Sequence, residues 1–448
     1  MNWKELYADR ICSAEEAVSY IQSGDRVVVA HASGEPKILT DAMVRCASKY
    51  NYKDVEIVHM VAMGNAGYCT PEMARHFRHN GLFLGGPTRA AIAEGRGDFT
   101  PVFFSEVPEL FRTAMHVNVV LLQVSEPDAD GYCSYGISCD YTKPCAESAD
   151  VRIAQVNAKM PRVMGDNFIH ISKLDHIVAE DSDIIELPPV KIGDVQRRIG
   201  EHVASLVCDG DCLQLGIGAI PDATLLFLKG KKDLGIHSEM VSDGVVELME
   251  AGVITNRCKQ LYPGKSVATF LMGTKRLYDF AHNNPDIRLM PVDVVNDPRV
   301  ICQNDHVVSI NSCVEVDLMG QVCAESVGLR QISGVGGQVD FVRGAKMSRG
   351  GRSIMAMPAT AANGTVSRIV PLLSEGAAVT TSRCDVDDVV TEYGIARLRG
   401  RSLKERARQL IAIAAPEFRE DLIKEYERRF HSSYYLSGIS TGNRCTAC

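Results

Sequence analysis

Three short segments carry residues whose types and spacing could do chemistry. In LGIHSEMVSDGVVEL (234–248) an apolar run ends in His237-Ser238-Glu239 before an amphipathic stretch. A residue at the carboxyl end of a strand in an open α/β sheet faces the crevice where ligands bind, so Glu239 is a candidate site residue. The plainer alternative is a charge at the start of the following helix. His-x-Glu also occurs in zinc deaminases, but no Pro-Cys-x-x-Cys follows at a workable distance, and zinc chemistry is rejected. In LQLGIGAIPDA (213–223) an apolar strand ends in Gly216-Ile217-Gly218, and Ala219-Ile220-Pro221 opens an apolar helix. Free backbone N–H groups at such a turn suit a phosphate or a developing oxyanion. A bare strand–helix turn and a dinucleotide site are the alternatives. Pro221 stands where the dinucleotide pattern wants its third glycine, which weakens the last. In SGVGGQVDF (333–341) Gly334, Gly336 and Gly337 precede Asp340, and Arg343, Lys346, Arg349 and Arg352 follow. A glycine turn beside four cations reads as a polyanion cradle or as a solvated basic hairpin. Pro263-Gly264-Lys265-Ser266 is not a phosphate loop of the Walker type, because Lys259 occupies its first glycine position.

These segments need elements to hold them. Short β-rich runs (26–30, 55–61, 119–124, 151–156) alternate with helix-like stretches such as 14–21 and 38–48, which predicts α/β architecture with largely parallel sheets. One pattern occurs twice. Segment 14–36 reads helix, Gly24-Asp25, apolar strand, glycine loop and Pro36. Segment 197–221 reads helix, Gly210-Asp211, apolar strand, glycine loop and Pro221. The echo predicts two open α/β domains of related topology, 1–188 and 189–430, joined at the Pro-rich stretch ELPPVK (186–191). Loops 85–97 and 124–136 are placed to close over a site between them. Residues 431–448 read as a flexible tail holding the Cys445/Cys448 pair, a weak metal or redox signal.

Composition narrows the class further. The 448 residues are 46% hydrophobic and 23% charged, as in ordinary globular proteins. With 48 basic and 56 acidic residues the net charge is −8, which lacks the basic footprint of a nucleic-acid binder. No run approaches a membrane span, and the N-terminal segment lacks a signal peptide's apolar core, so the expectation is a cytoplasmic protein without membrane partners. Its 15 cysteines show no disulfide framework and no metal-ligand spacing.

Together LQLGIGAIPDA, GIHSEM, FLMGTKRLYDF, SGVGGQVDFVRGA and VTEYGIA resemble the acetyl-CoA hydrolase/transferase family, over residues 2 to 430. The resemblance implies an active site between two open α/β domains and a ping-pong exchange of CoA between a thioester and a short carboxylic acid, such as 4-hydroxybutyrate or butyrate. Coenzyme A would be substrate and covalent intermediate, with no permanently bound cofactor. Glu239 matches the family's catalytic glutamate. Backbone N–H groups of the Gly216–Ile220 turn and Asn311 in the SINS segment are candidate donors to the thioester oxygen, and Gln214 matches a polar site position. The turn Gly216, Ile217, Gly218, Ala219 and Ile220 and the loop residue Gly337 fit CoA contacts. Ala359 fits a further one, where the family pattern has a serine, so only a backbone contact is expected there. A homodimer is implied by family habit. Hydrolysis of acyl-CoA on the same Glu239 is the nearest alternative. A nicotinamide-dependent dehydrogenase and a CoA-binding regulator without turnover are more distant ones.

Overall fold

The computed structural model describes residues 3–435. Its first half is one seven-stranded sheet with strands in the order 97–99, 77–81, 55–59, 26–29, 119–124, 151–156, 176–179, all parallel. A parallel sheet is covered on both faces, so its central strands must be apolar throughout. Val119–Val124 is buried at every position. Strand order reverses between Arg26–Val29 and Val119–Val124, which opens a crevice at their carboxyl ends.

The second sheet has the order 235–236, 212–215, 307–312, 352–356, 388–391, 394–397, parallel except for the closing hairpin. Its reversal falls between Cys212–Leu215 and Val307–Ser312, and Gln214 pairs with Ser309 across it. The two crevices face one another. Their layers share one apolar interior, in which Ile137 and Val163 pack with Leu271 and Leu289. They are stitched by backbone bonds such as Leu271 N–H to Ile137 C=O at 2.8 Å and Cys139 N–H to Thr269 C=O at 3.1 Å.

The repeated pattern has a common backbone cause. Gly24 and Gly210 both take positive φ, +86° and +80°, which a side chain would resist. Each N–H donates to a lysine carbonyl one strand away, Lys53 and Lys232, at 2.9 Å. The following Asp25 and Asp211 carboxylates accept from Gln22 N–H at 2.8 Å and Cys208 N–H at 2.6 Å.

Three expectations change. The segment after the third glycine motif is a helix, Gln338–Met347, and its cations are paired. Arg343 and Lys346 reach Asp385, Arg349 reaches Asp305, and Arg352 reaches Asp211. The run is therefore a helix and not a hairpin, and its cations are already engaged by carboxylates, with Arg349 still exposed. The stretch 186–191 is an anchored connection, exposed except at part-buried Leu187: Leu187 N–H donates to Gly273 C=O at 2.8 Å, and Glu186 accepts from Lys275 N–H. The expected tail starts packed, with the Tyr434 ring 5.5 Å from that of Tyr426, while Cys445 and Cys448 lie outside the described residues. Among the described residues no helix is long and apolar enough to cross a membrane.

Candidate active site

A cavity of about 310 Å³ lies between the carboxyl ends of the two sheets. The second sheet supplies Gln214, Gly216, Ile217, Glu239, Asn311 and the 333–338 turn, and the first sheet supplies His31, Met60, Met63, Phe83 and Phe104.

Glu239 follows Gly235–Ile236, and its backbone is fixed from below. Its carbonyl accepts from Thr269 N–H at 2.9 Å and Phe270 N–H at 3.2 Å. The two preceding residues are anchors. Fully buried His237 donates through Nε2 to Val295 C=O at 2.8 Å, and burial depresses its pKa to about 3. Ser238 Oγ accepts from Leu215 N–H at 3.2 Å and donates to Leu215 C=O at 3.1 Å, tying Glu239 to the strand that leads into the glycine turn. The next helix starts at Asp243 behind Ser242, so Glu239 is not its cap.

The Glu239 side chain keeps a part-accessible face on the cavity. Asn296 Nδ2 donates to its Oε2 at 2.9 Å, and the Gly337 N–H also donates to the carboxylate. Burial is the main cause raising its pKa from 4.5 to about 7, with the charges of Asp340 and Asp140 adding to the rise and these two donors opposing it. Gly337 has to be glycine, because a Cβ there would fall on Glu239 Oε2 and Asn296 Nδ2.

At the strand reversal two amides interlock. Asn311 Nδ2 donates to Gln214 Oε1 at 3.1 Å and to Ser309 Oγ at 2.8 Å, which occupies both of its protons. Gln214 Nε2 has only long contacts, 3.3 Å to Asn311 Oδ1 and 3.5 Å to Ile310 C=O, so it is the more available donor.

Beyond them, Gly216 and Gly218 have open space where a side chain would stand, and Ile217 is exposed. Gly218, at φ +115°, caps the helix Ala219–Phe227. Ile217, Leu187 and Met272 separate this cavity from a neighbouring one of about 310 Å³, lined by Pro188–Val190, Gly218 and Leu225.

Of the residues singled out from sequence, Glu239, Gln214, Asn311, Gly216, Ile217 and Gly337 meet around one space, and Gly218 lines the neighbouring one. Ala219 and Ile220 form the first helical turn and line neither cavity. Ala359 is fully buried away from the cavity lining. Its N–H donates to Glu392 at 2.8 Å and its C=O accepts from Arg368 N–H, so the expected backbone contact is already used. Loops 85–97 and 124–136 do not line the cavity. The first of them instead holds its rim through Arg89 Nε donating to Ile332 C=O at 2.5 Å.

Sequence reasoning missed His31, Asn296 and the Phe104-Ser105 turn. His31 Nδ1 is 3.1 Å from Asp140 Oδ2, and its buried Nε2 has no partner. Its place two residues past the Arg26–Val29 strand, the counterpart of Ile217, is the signal that could have found it. Asn296 had none, since it ends a short helix remote in sequence from Glu239. Among the described residues no cluster of His, Cys, Asp or Glu is arranged to hold a metal ion.

Residues 1–189 match the family model described as the acetyl-CoA hydrolase/transferase N-terminal domain, and residues 273–426 match the C-terminal domain of the same family. The chain is 62% identical over 431 residues to 4-hydroxybutyrate coenzyme A transferase of Clostridium kluyveri, covering 96% of this chain and 100% of that one. It is 37% identical to butyryl-CoA:acetate CoA-transferase of Anaerostipes caccae, over 95% of this chain and 97% of that one. Among solved structures, 4-hydroxybutyrate CoA-transferase from Porphyromonas gingivalis superposes with a TM-score of 0.82 at 47% identity, covering 96% of this chain and 100% of that one. The dinucleotide-binding alternative falls with these matches. With both halves and nearly the whole length accounted for, the chain belongs to the acetyl-CoA hydrolase/transferase family.

Proposed function

We propose that this protein moves CoA from a short acyl-CoA, such as acetyl-CoA, to a short carboxylic acid, such as 4-hydroxybutyrate or butyrate, with Glu239 carrying CoA between the two. The observation that carries this reading is the asymmetry of the Glu239 carboxylate: the Asn296 amide holds Oε2, while part of the side chain stays open to the cavity.

In the first step the ionised Glu239 attacks the thioester carbonyl, the C–S bond breaks, and CoA thiolate leaves a mixed anhydride. The thiolate then attacks the glutamyl carbonyl, releasing the first carboxylate and leaving a glutamyl-CoA thioester. The second acid reverses both steps. A carboxylate suits this role because its anhydride stays reactive toward a thiolate, whereas a serine ester would be a poor acyl donor. The available amide protons of Gln214 are placed to stabilise charge developing on the carbonyl oxygen, a contribution of about 3–4 kcal/mol for one donor.

Anhydride and thioester both need protection from water. Met60, Phe83, Phe104, Met240, Phe270 and Met272 give the cavity an apolar wall, which favours transfer over hydrolysis.

The test is intact-protein mass after incubation with acetyl-CoA, for the native chain and Glu239→Gln. The expected result is a CoA adduct on the native chain alone, discharged by 4-hydroxybutyrate or acetate. Acetyl-CoA left intact with no adduct would overturn the reading. Thioester consumption that needs no acid acceptor would make the protein a hydrolase.

A further inference from the structure

We infer that Asp340 is a positioning residue for Glu239, acting through the Asn296 amide to fix one carboxylate oxygen and leave the other to attack. This deepens the proposed function and rests on it.

Asn296 is fully buried between two carboxyl groups on different elements. One amide proton goes to Glu239 Oε2 at 2.9 Å, and the same side chain lies against the Asp340 carboxyl and opposes the rise of its pKa. An amide facing two carboxylates has to turn its NH₂ toward them. The Asn296 Oδ1 is left buried without a partner. Buried acceptors are rarely left so, and here the loss follows from turning the donor side toward the two carboxyl groups.

Asp340 is itself clamped. It is 3% exposed, in the first turn of Gln338–Met347, directly after the glycine loop. Its Oδ1 accepts from Ser105 Oγ at 2.8 Å and its Oδ2 from Ser105 N–H at 3.1 Å. The adjacent Phe104 N–H donates to Gly336 C=O at 3.0 Å. The orientation of Glu239 is thereby set from the first sheet's layer, through Ser105, Asp340 and Asn296 in series.

Like charges surround this series, and His31, 3.1 Å from Asp140, lines the same cavity. Glu239 faces Asp340 and Asp140, and Asp340 faces Glu106. Burial is the main cause that pushes both the Glu239 and Asp340 carboxyls up to about 7, and the Asp340 charge adds to the rise at Glu239.

The experiment compares native chain, Asp340→Asn, Ser105→Ala and Glu239→Gln by rate of CoA-adduct formation, and by kcat and KM across about pH 5–9. Asp340→Asn is expected to lower kcat about tenfold or more, with KM for acetyl-CoA within about twofold. Removing a like charge beside Glu239 should also move the acid limb of the profile about one pH unit lower. Ser105→Ala, which keeps the charge and loosens the clamp, should lower kcat less.

An Asp340→Asn protein with native kcat and an unmoved limb overturns the inference. So does a loss of kcat that only tracks a smaller folded fraction while the limb stays put. If the native chain forms an adduct and Asp340→Asn forms it equally fast, this inference alone fails. If the native chain forms none, the inference falls together with the nucleophile it positions.

Discussion

The units that begin at Gly24 and Gly210 share a backbone design and diverge in use. Both pass from a helix through a left-handed glycine and an aspartate lock into a parallel strand at the reversal of its sheet. After the first strand the chain turns through His31, Ala32, Ser33 and Gly34, all buried. After the second it turns through Gly216, Ile217 and Gly218 with open space beside both glycines. Topology alone therefore brings two crevices together, and side chains decide which becomes wall and which becomes working edge. The first half lends mainly apolar surface, while the second provides Glu239, the proposed nucleophile, and the Gln214 and Asn311 amides.

The sharpest way to break this division of labour is Glu239→Gln. Activity in a coupled CoA-transfer assay should fall on the order of 10⁴-fold or more, since the covalent route is lost. Gln214→Ala should cost between about 10²- and 10³-fold in kcat, as loss of one oxyanion donor does. Asn311→Ala, whose protons are already engaged, should cost less. Gly337→Ala should lower kcat about 10²-fold by displacing Glu239 and Asn296, with little change in melting temperature.

The two aspartate locks sharpen the comparison through stability. Asp211→Ala breaks a largely buried pair with Arg352 and should cost about 2 kcal/mol by urea unfolding, against about 1 for Asp25→Ala, which loses only its local hydrogen bond. The smallest effect is on pH dependence. The Glu239 pKa is raised from 4.5 to about 7, so the folded state binds that proton more tightly than the unfolded chain. Its stabilising contribution is complete below pH 4.5 and is lost as pH rises through 7. Glu239→Gln should therefore raise the melting temperature a few degrees above pH 7 and leave it nearly unchanged at low pH.

Much of this was legible in the sequence because it is local. The strands, the glycine turns and the placement of Glu239 at a strand end follow from patterns within about twenty residues. Gln214 and Asn311 came from a family resemblance, and only the pairing of their strands shows that they interlock. What stayed hidden depends on chain crossings. Asn296 reaches Glu239 across 57 positions, and Ser105 reaches Asp340 across 235. The four cations after Gly337 misled because their partners, Asp211, Asp305 and Asp385, are equally remote. Ala359 was carried over from the family pattern, and Glu392 and Arg368 already satisfy its backbone.

The connection at Leu187 has a mechanical consequence. Segments that join two sheets usually tolerate insertion, because extra residues become slack in solvent. Here Leu187 N–H is held to Gly273 C=O, and Leu187 stands between the two cavities. A residue added within the exposed 188–191 segment can bulge into solvent, whereas one added just before Leu187 would shift the side chain that parts the two chambers, so the tether is constrained on one side only.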